Sequence, residues 1–147
     1  MTILARAMIF FILLTGIPSF AAEKIEPPKD CKQCGMDRVA FAHGRMVIEY
    51  ADGTTVGTCS LNCAAVEMKS NKGKKVKALK VADYNTKKLI EVRQATWVIG
   101  GSKSGIMTEM PKWAFSKKVD AERFVKENGG RVTNFDEALN LALKENE

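Results

Sequence analysis

Apolar and polar residues alternate weakly over residues 39–58, a pattern typical of β-strands with one buried face. Apolar residues stand on each side of the sequence ADG at 51–53, and Asp-Gly is a preferred hairpin turn, so the segment predicts a β-hairpin. The next stretch, LNCAAVEMKSN, has a helical composition. Ser60 is its expected N-cap, and the sequence KG at 72–73 is expected to end it. A further strand is predicted over 76–81.

The second half of the chain repeats this order of elements. Its predicted elements are strands over 95–99 and 113–115, an N-cap at Ser116, a helix through VDAERFVKE that stops at 128–130, a strand over 132–135, and a final helix capped by Asp136 and running through Ala142. When the halves are aligned, Cys59 falls opposite Phe115 and Ser60 opposite Ser116. The pattern therefore predicts an α+β fold of two related β-β-α-β units packed together, although this layout is common enough for coincidence to be the alternative.

The N-terminus has the pattern of a secretory signal peptide. One cation, Arg6, precedes an apolar stretch over 9–17 that is short for a membrane span, and Ser19 and Ala21 supply small residues at the cleavage site. We expect a signal peptide over 1–22, with an uncleaved anchor as the alternative. The first cysteine lies well beyond the apolar stretch, so no lipobox is seen. The expected location is the periplasm, with no stable membrane span in the mature chain.

The formal net charge of +6 suggests different partners in an exported protein and in a cytosolic one. A basic cytosolic protein would suggest a nucleic-acid partner, but an exported protein rarely meets nucleic acid, and we expect none. Lysines crowd into residues 69–80. We expect this segment to be a solvated loop, and the alternative is a docking face for an acidic partner or an anionic membrane surface.

All four cysteines fall in one part of the chain, as Cys31-x-x-Cys34 and Cys59-x-x-x-Cys63. Cys59 is expected directly before a helix and Cys63 in its first turn, so both thiols can point to one place near the helix N-terminus. Free backbone N–H groups and the helix dipole favour thiolate at such a place. Two cysteine pairs joined by a hairpin are the layout of a four-sulfur metal site.

Three kinds of site fit these cysteines. A structural zinc site and a pair of disulfides each use all four, whereas a Cu(I) site needs two or three soft ligands and accepts thioether sulfur. Met36 lies two residues after Cys34, and Gly35 permits a tight turn that aims both sulfurs at one ion. The Gly-Met sequence therefore favours Cu(I). Thioredoxin-type redox catalysis is disfavoured because a linker precedes Cys31 and no clear helix follows Cys34.

Three further side chains are candidate ligands. Met107 and Met110 lie in a predicted loop bounded by glycine and proline, and this position favours a ligand role for Met107, with core packing as the alternative. His43 is the only histidine, and it is expected to be an exposed turn residue, with metal ligation as the alternative. Neither a catalytic triad nor a phosphate-binding glycine loop is evident, so no enzymatic activity is predicted.

Four separated stretches together resemble the NosL family, in this order: CKQCGM, YADGTTVGTCSLNC, VADYNTKKLIEVRQATWVIGGSKSGIM and WAFSKKVDAERFVKENGGRVTNFDEAL. The family consists of copper-binding accessory proteins linked to the maturation of nitrous oxide reductase. The resemblance covers nearly all the chain after the signal peptide. It implies Cu(I) binding outside the cytoplasm and a fold of two α+β units similar to that of organomercurial lyase. The family's Cys-Gly-Met motif falls on Cys34, Gly35 and Met36, and its later methionine falls on Met107.

The sequence thus predicts three segments: the signal peptide, a leader over 23–38 that carries the metal motif, and a NosL-like domain over 39–147, with units of about 39–92 and 93–147. The predicted function is an exported Cu(I) metallochaperone or copper-insertion factor that works by ligand exchange and is not an enzyme. Its client is a copper-accepting exported enzyme, such as nitrous oxide reductase or its assembly machinery. The alternatives are a module held together by zinc or disulfides, and an enzyme of thiol–disulfide exchange or mercurial handling. The predicted metal ligands are Cys34, Met36, Cys31, Cys59, Cys63 and Met107.

Overall fold

The computed structural model describes residues 25–147 and gives that part of the chain seven strands and three helices. The predicted signal peptide lies outside the described residues. The elements in chain order are β1 (Met46–Tyr50), β2 (Thr55–Thr58), α1 (Leu61–Ser70), β3 (Val76–Ala82), β4 (Leu89–Glu91), β5 (Thr96–Ile99), β6 (Lys112–Phe115), α2 (Lys118–Asn128), β7 (Arg131–Thr133) and α3 (Phe135–Lys144). None of these helices is long and apolar enough to cross a membrane.

The strands form two antiparallel sheets. The first has the order β2-β1-β3-β4 and the second the order β6-β5-β7. In each sheet the strand that comes first along the chain, β1 or β5, pairs with the next strand on one side and with the strand after the helix on the other. This shared order agrees with two related β-β-α-β units, to which β4 and α3 are added, and the α+β class is confirmed. The boundaries proposed for the leader and the two units stay predictions.

Local signals were correct for most elements and wrong for a few. The hairpin between β1 and β2 is confirmed, and so is Ser60 as the N-cap of α1, because its Oγ accepts the N–H of Cys63 at 3.3 Å. Ser116 is not a cap. Its backbone N–H donates to the buried carboxylate of Asp83 at 2.6 Å. The N-cap position of α2 is Lys117, which makes no side-chain cap bond.

The end of the chain differs from the prediction in a similar way. Asn134, not Asp136, caps α3, since its side chain accepts the N–H of Glu137 at 3.0 Å. Phe135 therefore opens the helix instead of closing a strand. Strand β4 was missed because three residues are too few to show an alternating pattern, and its existence depends on pairing with β3.

Two apolar clusters organise the interior. The larger one takes side chains from both sheets, α1 and α3, including Ile48, Val81, Trp97 and Ala138. The smaller one brings three of the cysteines together with apolar residues of the second unit: Val98, Ile106, Trp113, Phe115, Ala121 and Phe124. The cysteines therefore lie where the two halves of the molecule pack against each other.

Candidate metal centre

The four cysteines come from two segments that meet at the start of α1. Cys31 and Cys34 lie on a turn over residues 31–36, hereafter the metal loop; Cys59 directly follows β2, and Cys63 is in the first turn of α1. All four Sγ atoms lie within 4.8 Å of one another, and we call this group the thiol cluster. The Sγ of Cys59 lies 3.5 Å from that of Cys34 and 3.7 Å from that of Cys63.

These distances suit a metal ion better than disulfide bonds. In a tetrahedral thiolate site with metal–sulfur bonds of about 2.3 Å, neighbouring sulfurs lie about 3.8 Å apart. A disulfide needs its sulfurs about 2 Å apart, and all four cysteines are free in the structure. The thiol cluster therefore fits metal binding without a change of backbone.

The metal loop is a tight turn built by the backbone. The N–H of Gly35 donates to the carbonyl of Cys31 at 2.8 Å, and the N–H of Cys31 donates to the carbonyl of Met36 at 2.8 Å. Gly35 has a φ of 73°, a conformation that residues other than glycine rarely adopt. The loop is tied to β2 because the N–H of Lys32 donates to the carbonyl of Gly57 at 3.0 Å. The prediction that Gly35 permits a tight turn is confirmed.

Arg38 anchors the segment just after the metal loop. Its guanidinium is buried and donates to the carbonyls of Thr58 at 3.2 Å and Met46 at 3.1 Å, and it pairs with the carboxylate of Glu26 in the leader. At Gly57 a Cβ atom would lie 2.5 Å from this guanidinium, so glycine is needed there. Sequence reasoning missed Arg38, since a single arginine close to a cysteine motif carries no specific signal.

A second contact holds the other side of the metal loop. The side-chain amide of Gln33 donates to the carboxylate of Glu67 on α1, four residues after Cys63. Glu67 is buried and also accepts from the side chain of Asn71 at 2.9 Å. Its position at i+4 from a cysteine is the only sequence signal that could have identified it.

The cysteines differ in their access to solvent. Cys31, Cys59 and Cys63 are buried, whereas Cys34 is partly exposed. The thioether-bearing Met36 packs against the same apolar cluster and is also partly exposed. Any ligand that arrives from solution therefore meets Cys34 before it meets the other three sulfurs.

Contacts among the sulfurs shift their acidity in opposite directions. Hydrogen bonds from Cys59 and Cys63 lower the pKa of the Cys31 thiol. The hydrogen bond to Cys31 in turn raises the pKa of Cys63 to about 12, and the same kind of contact followed by burial raises the pKa of Cys59. These contacts favour thiolate at Cys31 over thiolate at Cys59 and Cys63. A bound cation stabilises further thiolates, so metal binding releases protons.

The other two methionines considered as ligands lie outside the metal loop. Met107 lies in the loop between β5 and β6 with its side chain 53% exposed, and Met110 of the same loop is also exposed. Their roles, and the ligand assignments of the cysteines and Met36, stay predictions.

The expectation that His43 is exposed was wrong. It lies in a turn, but it is half-buried, with its ring centroid 5.3 Å from that of Trp113 and 5.4 Å from that of Tyr84. Burial, and then the charge of Lys87, lower the pKa of its imidazole. Among residues 25–147, the group of side chains compatible with a metal ion is the thiol cluster, and it does not include His43.

Known proteins are similar to this chain in sequence and in structure. A family model for NosL matches residues 22–141. The crystal structure of the copper chaperone NosL from Shewanella denitrificans superimposes with a TM-score of 0.60 at 26% sequence identity, and the match covers 76% of this chain and 96% of that one. No curated protein matches the chain. Because the family model spans most of the sequence, the chain belongs to the NosL family.

Proposed function

We propose that this protein is an exported Cu(I) metallochaperone that carries copper to an acceptor and releases it by ligand exchange. The observation that carries the proposal is the thiol cluster, in which one partly exposed sulfur, that of Cys34, adjoins three buried ones. Thiolate and thioether are the ligands that Cu(I) prefers, and Met36 supplies the thioether next to Cys34. The solved NosL structure that resembles this chain is that of a copper chaperone.

Ligand exchange at Cys34 accounts for transfer. A sulfur or imidazole of the acceptor approaches the exposed side of the ion and forms a bond to copper. The bond from copper to the Cys34 sulfur then breaks, and that sulfur takes up a proton. No electron moves, and copper stays Cu(I) throughout. Low coordination keeps this exchange fast, because a closed tetrahedral site has no free position for an incoming ligand.

Export and the identity of the acceptor belong to the same proposal. The signal-peptide pattern over residues 1–22 supports a periplasmic location. The client is an exported copper enzyme, and nitrous oxide reductase or its assembly machinery is the one that the family resemblance suggests. The lysine-rich segment over residues 69–80 offers a positive face for an acidic acceptor.

A structural zinc site is the second candidate. The observation that favours it is the spacing of the sulfurs, since all four gather within 4.8 Å and two of the separations, 3.5 and 3.7 Å, are close to that of a tetrahedral thiolate site. Zinc would hold the metal loop to α1 permanently and would not be transferred. The two candidates differ in the metal that the protein retains and in whether Met36 matters.

The deciding experiment is a titration of the reduced protein, without its signal peptide, with Cu(I) and a competing chelator. A free-thiol count and metal analysis are made on the same protein as isolated, before it is reduced. We expect free thiols before reduction, one tightly bound Cu(I) in the titration, and faster removal of copper by a thiol-containing acceptor than by simple dissociation. Tight zinc that Cu(I) does not displace, or cysteines that are all disulfide-bonded in the protein as isolated, would refute the proposal.

A further inference from the structure

Met107 has a strained backbone. It lies in the loop over residues 105–110, hereafter the Met107 loop, and its φ of 54° is in the left-handed region that non-glycine residues rarely adopt. Such a conformation is unfavourable for a residue with a side chain and persists only where the surroundings enforce it. The side chain of Met107 is more than half exposed, so its own burial does not offset this cost. The neighbouring contacts must therefore hold the backbone in place.

Those contacts come from two buried polar side chains. The amide nitrogen of Asn62 donates to the carbonyl of Met107 at 3.0 Å. The ammonium of Lys112 donates to the hydroxyl of Thr108 at 2.9 Å and to the carbonyl of Met110 at 2.9 Å. The loop is thus held at three successive places along its length.

The same two side chains are joined through a buried ion pair. Lys112 lies 2.7 Å from the carboxylate of Glu145, just beyond α3, and its side chain is 2% exposed. Asn62 accepts from Lys112 at 3.1 Å and donates to Glu145 at 2.7 Å, so its amide is fully hydrogen-bonded. Burying a charged pair in this way contributes little net stability. Its value here is that it defines one position for Asn62.

Asn62 also connects the Met107 loop to the thiol cluster. It directly precedes Cys63 in the first turn of α1. From the other side, Ile106 packs in the same apolar cluster as Cys31, Cys59 and Cys63. The backbone on each side of the strained residue is therefore fixed relative to the sulfurs.

We infer that Asn62, held by the Lys112–Glu145 pair, is a positioning residue that sets the Met107 thioether where it can reach a copper ion held by Cys34. The inference rests on the proposed function, because it requires that the protein binds Cu(I). It assigns a role to three residues that bind no metal themselves. Loss of an outer contact of this kind typically weakens metal affinity about 10–100-fold.

A double-mutant cycle tests the inference. Cu(I) affinity is measured by chelator competition for the wild type, Asn62→Ala, Met107→Leu and the double variant. We expect each single change to weaken binding about tenfold, in the range of outer-contact losses. The double variant should bind no more weakly than Met107→Leu, because Asn62 acts through Met107. A purely structural role for Asn62 would make the two losses multiply.

A second readout follows the thioether directly. In protein labelled at the methionine methyl groups, the resonance that Met107→Leu removes should shift when Cu(I) is added to the wild type. The shift should be largely lost in Asn62→Ala. The matched control is Asn128→Ala, which removes an asparagine amide from α2, where it bonds only the carbonyl of Phe124. This variant should keep the wild-type affinity and shift.

The possible outcomes separate the inference from the function on which it rests. A wild type that does not bind Cu(I) refutes both. A wild type that binds Cu(I), with Asn62→Ala unaffected or with losses that multiply, refutes only the positioning role. If Asn62→Ala does not fold, Thr108→Val replaces it, since this change removes the hydroxyl that links the Met107 loop to Lys112 and Glu145. The double-mutant cycle with Met107→Leu is then measured with Thr108→Val, and the same results would contradict the inference.

Discussion

Cys34 differs from the other three cysteines of the thiol cluster because its side chain reaches solvent. This difference follows from its place in the metal loop, where Gly35 turns the chain back toward β2. A sulfur on the surface can exchange partners, whereas sulfurs buried among apolar side chains can hold an ion but cannot meet an acceptor. Met36, two residues after Cys34, is the predicted ligand whose thioether favours copper over zinc.

Replacing Met36 by leucine keeps its volume and removes its sulfur. If Met36 is a ligand, Met36→Leu should weaken Cu(I) binding about tenfold or more and leave zinc binding unchanged, since zinc has little affinity for thioether. Chelator competition measures both affinities. Met68→Leu is the matched control, because Met68 packs against the larger core cluster near the end of α1. Equal Cu(I) affinity for Met36→Leu and the wild type would rule out Met36 as a ligand.

At the scale of single elements, α1 and the β1–β2 hairpin hold the cysteine pairs in register. The hairpin brings Gly57 beside the metal loop. The first turn of α1 brings the sulfur of Cys63 to 3.7 Å from that of Cys59. The cap and the turn are both local structures that the sequence predicts, and each depends on one polar side chain.

The N-cap of α1 is the first of these side chains. Ser60→Ala should lower the free energy of unfolding by about 1 kcal/mol, because the N–H of Cys63 loses its acceptor. Urea denaturation of the metal-free protein measures the change. Ser70→Ala, at the exposed end of the same helix, is expected to leave stability within about 0.5 kcal/mol of the wild type. A loss of the same size in both variants would show that Ser60 does not act as a cap.

The second of these side chains is that of Asp52, in the turn of the hairpin. A hydrogen bond from the N–H of Thr54, followed by the contact with Lys74, lowers the pKa of Asp52 from 3.8 to about 2. The folded protein therefore binds a proton here less readily than the unfolded chain. The contribution of Asp52 to stability is present above pH 4 and is lost as the pH falls through about 2.

This pH dependence can be separated from that of the other carboxylates. Asp52→Asn keeps the turn acceptor but cannot titrate, so its free energy of unfolding should fall less than that of the wild type between pH 5 and pH 2.5. Urea denaturation at the two pH values measures the difference. Ser70→Ala, which removes an exposed side chain that does not titrate, is the control, and its stability should fall as steeply as that of the wild type. Parallel decreases in all three proteins would contradict the role of Asp52.

At the scale of the whole molecule, the metal site depends on contacts between distant segments. The leader, the metal loop, strands β1 and β2, and the Met107 loop with Glu145 together span more than 100 residues of the chain. Arg38 and Lys112 are two of the three buried cations among the described residues, and both join these segments. Each lies next to a segment that carries predicted ligands.

Arg38 is the contact with the largest expected effect on the fold. Arg38→Met should lower the free energy of unfolding by about 3 kcal/mol, because it removes one of the two arginine partners of Glu26 and the donor that bonds four backbone carbonyls. It should also weaken Cu(I) binding, since the metal loop loses its anchor. Arg123→Met removes an exposed pair with Asp120 and should cost less than about 1 kcal/mol. Similar losses in the two variants would show that Arg38 is not an anchor.

The sequence by itself determined the α+β class, the hairpin, the Ser60 cap, the helix that carries Cys63 and the resemblance to NosL. These features depend on periodicity, caps and turns within a few residues of one another, or on the residue types of a motif. Cu(I) and the ligand set were also predicted from the sequence and await the experiments above, and export stays a prediction.

The cysteine spacing suggested a four-sulfur site, but only the tertiary structure decided that Cys34 alone among the four sulfurs is partly exposed. It also placed His43 between two aromatic rings, moved the cap of α2 to Lys117, and brought Asn62, Arg38, Gln33 and Lys112 to the metal loop and the Met107 loop. The physical reason is that burial and long-range hydrogen bonds depend on which segments pack together. A buried arginine and a solvated one look the same in the sequence, and only the packed chain shows what each of them holds.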